Sequence, residues 1–310
     1  MTVTKKQIQI DRFLLPGQRS VVNIGYIDGR KPLEIISTNE ILLEAPNWNP
    51  KTNELLLNGD GKLWTLPTTG GKLVPLEIPS LPLVNNDHVL SSDPDYVYAS
   101  ANDYHIYKAR LDGTKPAQRV TEDDSHIAEH LMHFLHGVSP DESTLAFVAL
   151  GWPEAPDWST PPSVHEIFTV PTAGGPAVKL SETTGEIDGP EYSPDGKWIY
   201  VNAEHFSGER GNAQICRMPA DGGSLEQLTF DENVNWFPHF APNSEHAIYL
   251  CFPPGTKGHP ANKPVSIKVI ENDWTKPIAE YEFFGGQGSL NVNSWAPDGE
   301  RFAFVSYPID

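Results

Sequence analysis

The sequence predicts an all-β chain, a six-bladed β-propeller of four-stranded antiparallel blades whose ring is closed by N-terminal strands completing the C-terminal blade. Three observations predict it. A turn built on Ser-Pro-Asp-Gly, or a decayed copy of it, recurs six times at spacings of 43 to 55 residues, each time followed by a short apolar strand. A second, glycine-tipped hairpin lies between successive copies through the fifth. The last copy is incomplete, and the N-terminus holds strands that lack a beginning. Periods of this size with strands between the turns mean a propeller, because a lone four-stranded sheet cannot bury both faces without a neighbouring blade.

The intact turn is Ser193-Pro194-Asp195-Gly196, and its relatives are Asn49-Pro50, Ser92-Asp93, Ser139-Pro140-Asp141, Ala241-Pro242-Asn243 and Ala296-Pro297-Asp298-Gly299. Proline presets φ, aspartate bonds the local backbone and glycine supplies positive φ, so the flanking strands must pair. The hairpin tips are Asp28-Gly29, Gly70-Gly71, Asp112-Gly113, Gly174-Gly175 and Gly222-Gly223. Each repeat therefore reads as strands a to d, with expected extents 45–78, 86–121, 132–181, 187–229 and 233–284. The sixth stops after two strands, within 291–307. Residues 12–36 carry strands of type c and d without an a or b, and are expected to complete that blade and remove the open sheet edges. The chain is expected to be one domain over residues 1–310.

Composition agrees: 29 prolines and 25 glycines in 310 residues suit a chain of tight turns. A formal net charge of −19 opposes phosphate backbones and anionic membranes, so neither nucleic acid nor membrane is an expected partner. The chain shows no long apolar run and no charged-then-apolar leader, and Cys216 and Cys251 read as buried thiols, so a cytoplasmic location is expected, or a periplasmic one if a leader has been removed.

The runs Pro-x-Tyr-Ser-Pro-Asp-Gly at 190–196, Pro-x-Phe-Ala-Pro-Asn at 238–243 and Ser-Trp-Ala-Pro-Asp-Gly at 294–299 resemble the repeats of TolB-like six-bladed propellers, over nearly the whole chain. The resemblance implies the fold. It leaves function open, because the family includes Pal-binding periplasmic adaptors, the propeller halves of prolyl oligopeptidase-type peptidases and oligogalacturonate lyases. The sequence lacks the extra N-terminal domain of TolB and the Gly-x-Ser-x-Gly elbow of a peptidase, which points away from both.

Function is sought at the channel mouth, reached by the residues that begin each innermost strand. There the sequence places Glu44 and Asn47, then Asn86, Asp87 and His88, then His130, His133 and His136, and later carboxylates and amides from every remaining blade. A strand start needs one capping group, so the excess predicts a polar, ligand-sized cavity. The expected ligand contacts are Asp188, Glu191, Asn235, Trp236, Gln287, Asn291 and Asn293, with Trp236 as a platform for a sugar ring and Gln287, held between glycines, bonding a hydroxyl. His136 and His239 are the expected bases and Arg210 the expected anion clamp, should the site be catalytic. His88, His136 and His239 are the candidate ligands of one divalent metal, Mn, Zn, Ni or Fe, although no metal-motif spacing accompanies them. No phosphate-binding loop is present, so no nucleotide cofactor is expected.

Long insertions at 151–162, 204–211 and 253–260 fall between strands b and c of the third, fourth and fifth blades and are expected to wall the mouth, biasing recognition toward the third-to-sixth-blade side. The expected function is binding of a small, carbohydrate-derived ligand. The alternatives are a metal-dependent lyase or related epimerising enzyme, and a scaffold that docks a protein partner without chemistry.

Overall fold

A computed structural model of the chain describes residues 12–154, 159–208, 211–243, 245–271 and 273–310. Its described residues form strands β1 to β23 and no helix, so no helix is long and apolar enough to cross a membrane.

Five sheets have four strands in simple meander order: β3–β6 (44–75), β7–β10 (84–119), β11–β14 (130–179), β15–β18 (187–227) and β19–β22 (234–286), here blades one to five. Blade six combines both ends of the chain. β1 (Ser20–Tyr26) lies between β2 (Leu33–Thr38) and β23 (Arg301–Ser306), pairing with the latter from Val21↔Ser306 to Tyr26↔Arg301. The expected closure is therefore present. Below β23, the innermost position is taken by an irregular segment that still bonds the strand, with Ala303 N–H donating to the Ser294 carbonyl (3.1 Å) and Val305 N–H to that of Ser289 (3.1 Å). The ends are latched beyond the sheet as well: Arg19 N–H donates to Pro308 O at 3.0 Å and Asp310 N–H to Gly17 O at 3.1 Å.

The repeated turn works as its residues dictate. Ser193 Oγ donates to Asp195 Oδ1 (2.6 Å) and accepts from Trp198 N–H (3.0 Å), Gly196 takes φ +71°, and Ser193 N–H meets Trp198 O at 2.8 Å. In blade three the same turn keeps its hydrogen bonds from Ser139 and Asp141, but Glu142 stands where Gly196 does and is held at φ +59°. Between blades, one face packs on the next: Trp236, Phe237, Leu250, Trp295, Phe302 and Phe304 join blades five and six, and Val22, Leu43, Trp48, Leu55 and Val305 join blades six and one.

One irregularity positions the site. The inner strand of each of blades one to five slips register once, between Glu44 and Asn47, Val84 and His88, Leu135 and Gly137, Asp188 and Glu191, and Trp236 and His239. In three of these the slip carries an Xaa-Pro pair, Ala45-Pro46, Gly189-Pro190 and Phe237-Pro238, with Xaa at φ +51°, +61° and +55°. Proline donates nothing to the ladder, so a bulge is where a strand tolerates it, and a bulge re-aims its neighbouring side chains. Here those neighbours include Glu44, Asp87, His136 and Asp188.

Candidate functional site

A cavity of about 1090 Å³ opens at the end of the molecule where these bulges lie. At its centre, His136 Nε2 lies 3.2 Å from Asp188 Oδ1 and 3.8 Å from Asp87 Oδ1. The other ring nitrogen, Nδ1, donates to the carbonyl of Asn291 at 3.1 Å, which fixes the ring and leaves Nε2 as the atom facing the carboxylates. Asp188 also accepts from Gly189 N–H at 2.7 Å, and Asp87 from the Asn85 amide at 2.8 Å. His259 Nε2 stands 3.6 Å from the second Asp188 oxygen.

A chain of amides continues the wall. Gln287 Oε1 accepts from His259 Nδ1 (2.5 Å) and Asn291 Nδ2 (3.0 Å), while Gln287 Nε2 approaches Asn86 Oδ1 at 3.5 Å. Asn86 leads to Glu44, which is paired with Arg12 and accepts from Asn58 at 3.3 Å. The lining also holds the apolar side chains Leu83, Phe134, Leu150, Trp152, Pro161 and Val164, interspersed with Ser163, His165 and Glu166.

The charges of the centre are set by burial and by each other. Burial alone would push His136 down, but Asp188 and Asp87 outweigh it and raise the imidazole to about 9, so it is a cation at neutral pH. Burial likewise opposes ionisation of Asp188, yet His136 beside it brings that carboxyl down to about 2. Asp87 goes the other way: burial, with Asp188 and Glu44 nearby, outweighs His136 and lifts it to about 7. One imidazolium serves two carboxylates, and Asp188 holds it more closely.

Gly288 shows how tightly the crossover strand passes this centre. It adopts φ +87°, its carbonyl accepts from Ala45 N–H at 2.7 Å, and a Cβ there would lie 2.4 Å from Glu44 Oε1 and 2.6 Å from the Tyr307 hydroxyl. Gly288→Ala is expected to cost roughly 2 kcal/mol or more, from left-handed strain plus displacement of the buried Glu44. Urea unfolding tests this, and a loss below about 0.5 kcal/mol, the range of ordinary surface changes, would show that the close approach is absent.

The structure divides the sequence-predicted residues into two groups. His136, Asp188, Trp236, Gln287 and Asn291 line the cavity. Trp236 does so at 1% exposure with His259 over its ring at 4.4 Å between centroids, so its face is already occupied. The other group is held elsewhere. His239 meets Glu191 Oε2 at 2.5 Å and the Leu290 carbonyl at 3.0 Å, which engages both ring nitrogens. Glu191 also accepts from Phe240 N–H and Asn293 Nδ2, each at 2.8 Å, making a closed network between blades four, five and six. Asn235 bonds Thr229 and Gln214 at the blade four–five contact. His88 pairs with Asn47 at 2.7 Å, and burial pushes its imidazole down to about 3. Arg210 lies outside the described residues.

His88, His136 and His239 thus face three different partners. Among the described residues, no group of three or more His, Cys, Asp or Glu is placed to hold a metal ion. The residues present do not fit the expected metal set.

The cavity itself extends to the first two blades, which contribute Glu44, Asn58, Asp60, Leu83, Asn86 and Asp87 to its lining. Of the long b–c insertions, those of blades three and five reach the cavity through Pro161, Pro162 and His259. Asp87 and Asn86 were legible as strand-start residues within Asn85-Asn86-Asp87-His88, whereas Arg12 carries no signal in the sequence.

No family model matches the chain. It is 31% identical over 298 residues to uncharacterized protein Atu1656 of Agrobacterium fabrum, covering 94% of both chains. The solved structure of a protein assigned as TolB from Agrobacterium tumefaciens superimposes with a TM-score of 0.78 at 29% identity, over 94% of this chain and 99% of that one. A manganese complex of oligogalacturonate lyase shares the fold alone, at a TM-score of 0.53 and 11% identity, over 86% of this chain and 73% of that one. Six blades with the repeated turn, a ring closed by both ends and this likeness along almost the whole length place the chain in the TolB-like six-bladed β-propeller family.

Proposed function

We propose that the chain is a ligand-binding propeller whose central cavity takes a small, polyhydroxylated, carbohydrate-derived molecule. The observation that carries this reading is the cavity wall itself: Asn86, Asp87, His136, Asp188, Gln287 and Asn291 converge from four blades in a cavity that apolar side chains also line. Donors and acceptors together with hydrocarbon in one lining match a sugar, which has hydroxyls at its rim and C–H groups on its faces. The buried, unlinked Cys216 and Cys251 suit a reducing compartment, so the reading places the ligand in the cytoplasm.

The lyase reading in its metal-dependent form finds no support in the donor arrangement described above. No step is assigned through a metal.

Titration of the full chain with neutral sugars, oligosaccharides, uronic acids and sugar lactones, followed by thermal shift and calorimetry, tests the proposal. Gln287→Ala is expected to weaken the bound sugar about tenfold to hundredfold, the effect of removing one buried hydrogen-bonding group. Asn235→Ala is expected to lower stability and leave affinity unchanged. A ligand indifferent to Gln287→Ala, or no binding across the panel, would overturn the reading.

A further inference from the structure

We propose that the ligand brings a positive charge to the cavity, as an ammonium-bearing sugar or similar polyhydroxylated amine seated against Asp87 and Asp188. The inference rests on the cavity's being the ligand site and adds the charge class of what it binds.

Charge accounting around the wall supports it. The described lining residues include six carboxylates, Glu44, Asp60, Asp87, Glu166, Glu186 and Asp188, against two basic side chains, Arg12 and Lys179, and the His136 imidazolium. Each cation already has a carboxylate beside it: Arg12 has Glu44, Lys179 has Glu166 at 3.6 Å, and His136 has Asp188 at 3.2 Å. Asp87 is left with the shared imidazolium at 3.8 Å and one amide, Asn85. A uronate or phosphate would enter a surplus of negative charge, whereas an ammonium group would complete it.

Two further buried atoms point to a missing partner. Trp236 Nε1 and Asn58 Oδ1, on cavity-lining residues 1% and 4% exposed, have no hydrogen-bond partner among the described residues. Both atoms are themselves covered, so a hydroxylated ligand satisfies them only with a shift of the side chains that cover them.

The groups facing Asp87 also give the pH dependence. They are His136 from blade three, Asp188 from blade four with His259 beyond it, Glu44 and its partner Arg12 from blade one and the N-terminal segment, and Asn85 on its own strand. With the Asp87 carboxyl near 7, a cation that needs it ionised should bind more tightly as pH rises from about 6 to 8, with protons released on binding.

The test is calorimetry of the full chain at low salt with glucose, glucosamine and glucuronate, with ethanolamine and Mn²⁺ as sugar-free cations. Glucosamine should bind about tenfold or more tighter than glucose, with glucuronate weakest, since hydrogen bonds to charged groups exceed neutral ones by that order. Asp87→Asn should bring the glucosamine-to-glucose ratio toward one, and the pH profile of ethanolamine binding to the unsubstituted protein, an amine that keeps its charge from pH 6 to 8, reads the same point if that variant fails to fold. Ethanolamine binding without sugar binding would keep this inference and overturn the carbohydrate reading. Glucose or glucuronate binding as tightly as glucosamine would do the reverse. Mn²⁺ bound more tightly than any amine and lost in Asp87→Asn would overturn the inference in favour of a metal, and no binding by any probe would overturn both.

Discussion

A chain lacking residues 1–38 is expected to fail to fold as a cooperative, soluble unit. That deletion removes β1 and β2 and with them the β1–β23 pairing that joins the two ends of the ring in blade six. Val21, Val22 and Ile24 of β1 are each at most 4% exposed. Burying an aliphatic side chain stabilises by about 1.5–3 kcal/mol, so these three alone account for roughly 5–9 kcal/mol, comparable with the whole stability of an ordinary domain. The loss also bares β23 as an edge, with Phe302, Ala303 and Phe304 available to pair with another chain. Expression yield, gel filtration and thermal melting decide it. Placing residues 12–38 after Asp310 through a flexible linker should restore folding, because the strands then reach the same register from the other end. A truncated chain that melts like the full one would show that blade six is dispensable for closure.

Asp188→Asn should be the most damaging single substitution at the cavity, by about 3–5 kcal/mol at neutral pH, the range for removing one partner of a buried charge pair. Asparagine keeps the size and the bond from Gly189 N–H, but leaves the His136 imidazolium with only Asp87 at 3.8 Å. The pH dependence gives the sharper test. His136 is raised from 6.5 in the unfolded chain to about 9 in the folded one, so its contribution is fully present below 6.5 and lost as pH rises through 9. The stability gap between Asp188→Asn and the unsubstituted protein should therefore be widest near pH 6 and close above about pH 9. In the variant, the His136 ring should titrate lower by NMR. A gap that stays constant from pH 6 to 10 would mean that Asp188 acts through packing and not through charge.

Much of this architecture is legible in local chemistry. The turn needs only Ser, Pro, Asp and Gly in order, each acting on its immediate backbone, so Ser193–Gly196 and its decayed copies could be read as hairpins without any tertiary information. Counting those hairpins gives six blades, and the unfinished last repeat gives the closure. The sequence places two strands within 291–307, but only β23 forms there and residues 287–295 are an irregular crossover. Gly285, Gly286 and Gly288 signal it, since two of them take positive φ and Gly288 passes Glu44 and Tyr307 where no Cβ fits.

The division of the histidines was not legible. His88, His136 and His239 sit at comparable places in their repeats, and sequence position made them equivalent candidates. Tertiary structure separates them by a single geometric variable, whether the register slip of the inner strand turns the ring toward the axis or back between blades. His136 lies in the slip itself and reaches Asp87 and Asp188; His88 and His239 lie just past it and meet Asn47 and Glu191 of the preceding blade. A bulge displaces side chains by one residue, and one residue on a strand is the difference between opposite faces. The sequence alone determined six repeats, a closed ring and a polar mouth, because these follow from short-range turn chemistry and from counting. Only the tertiary structure decided which polar groups share the cavity, because that depends on where five separate bulges fall relative to one axis, and no pair of neighbouring residues encodes it.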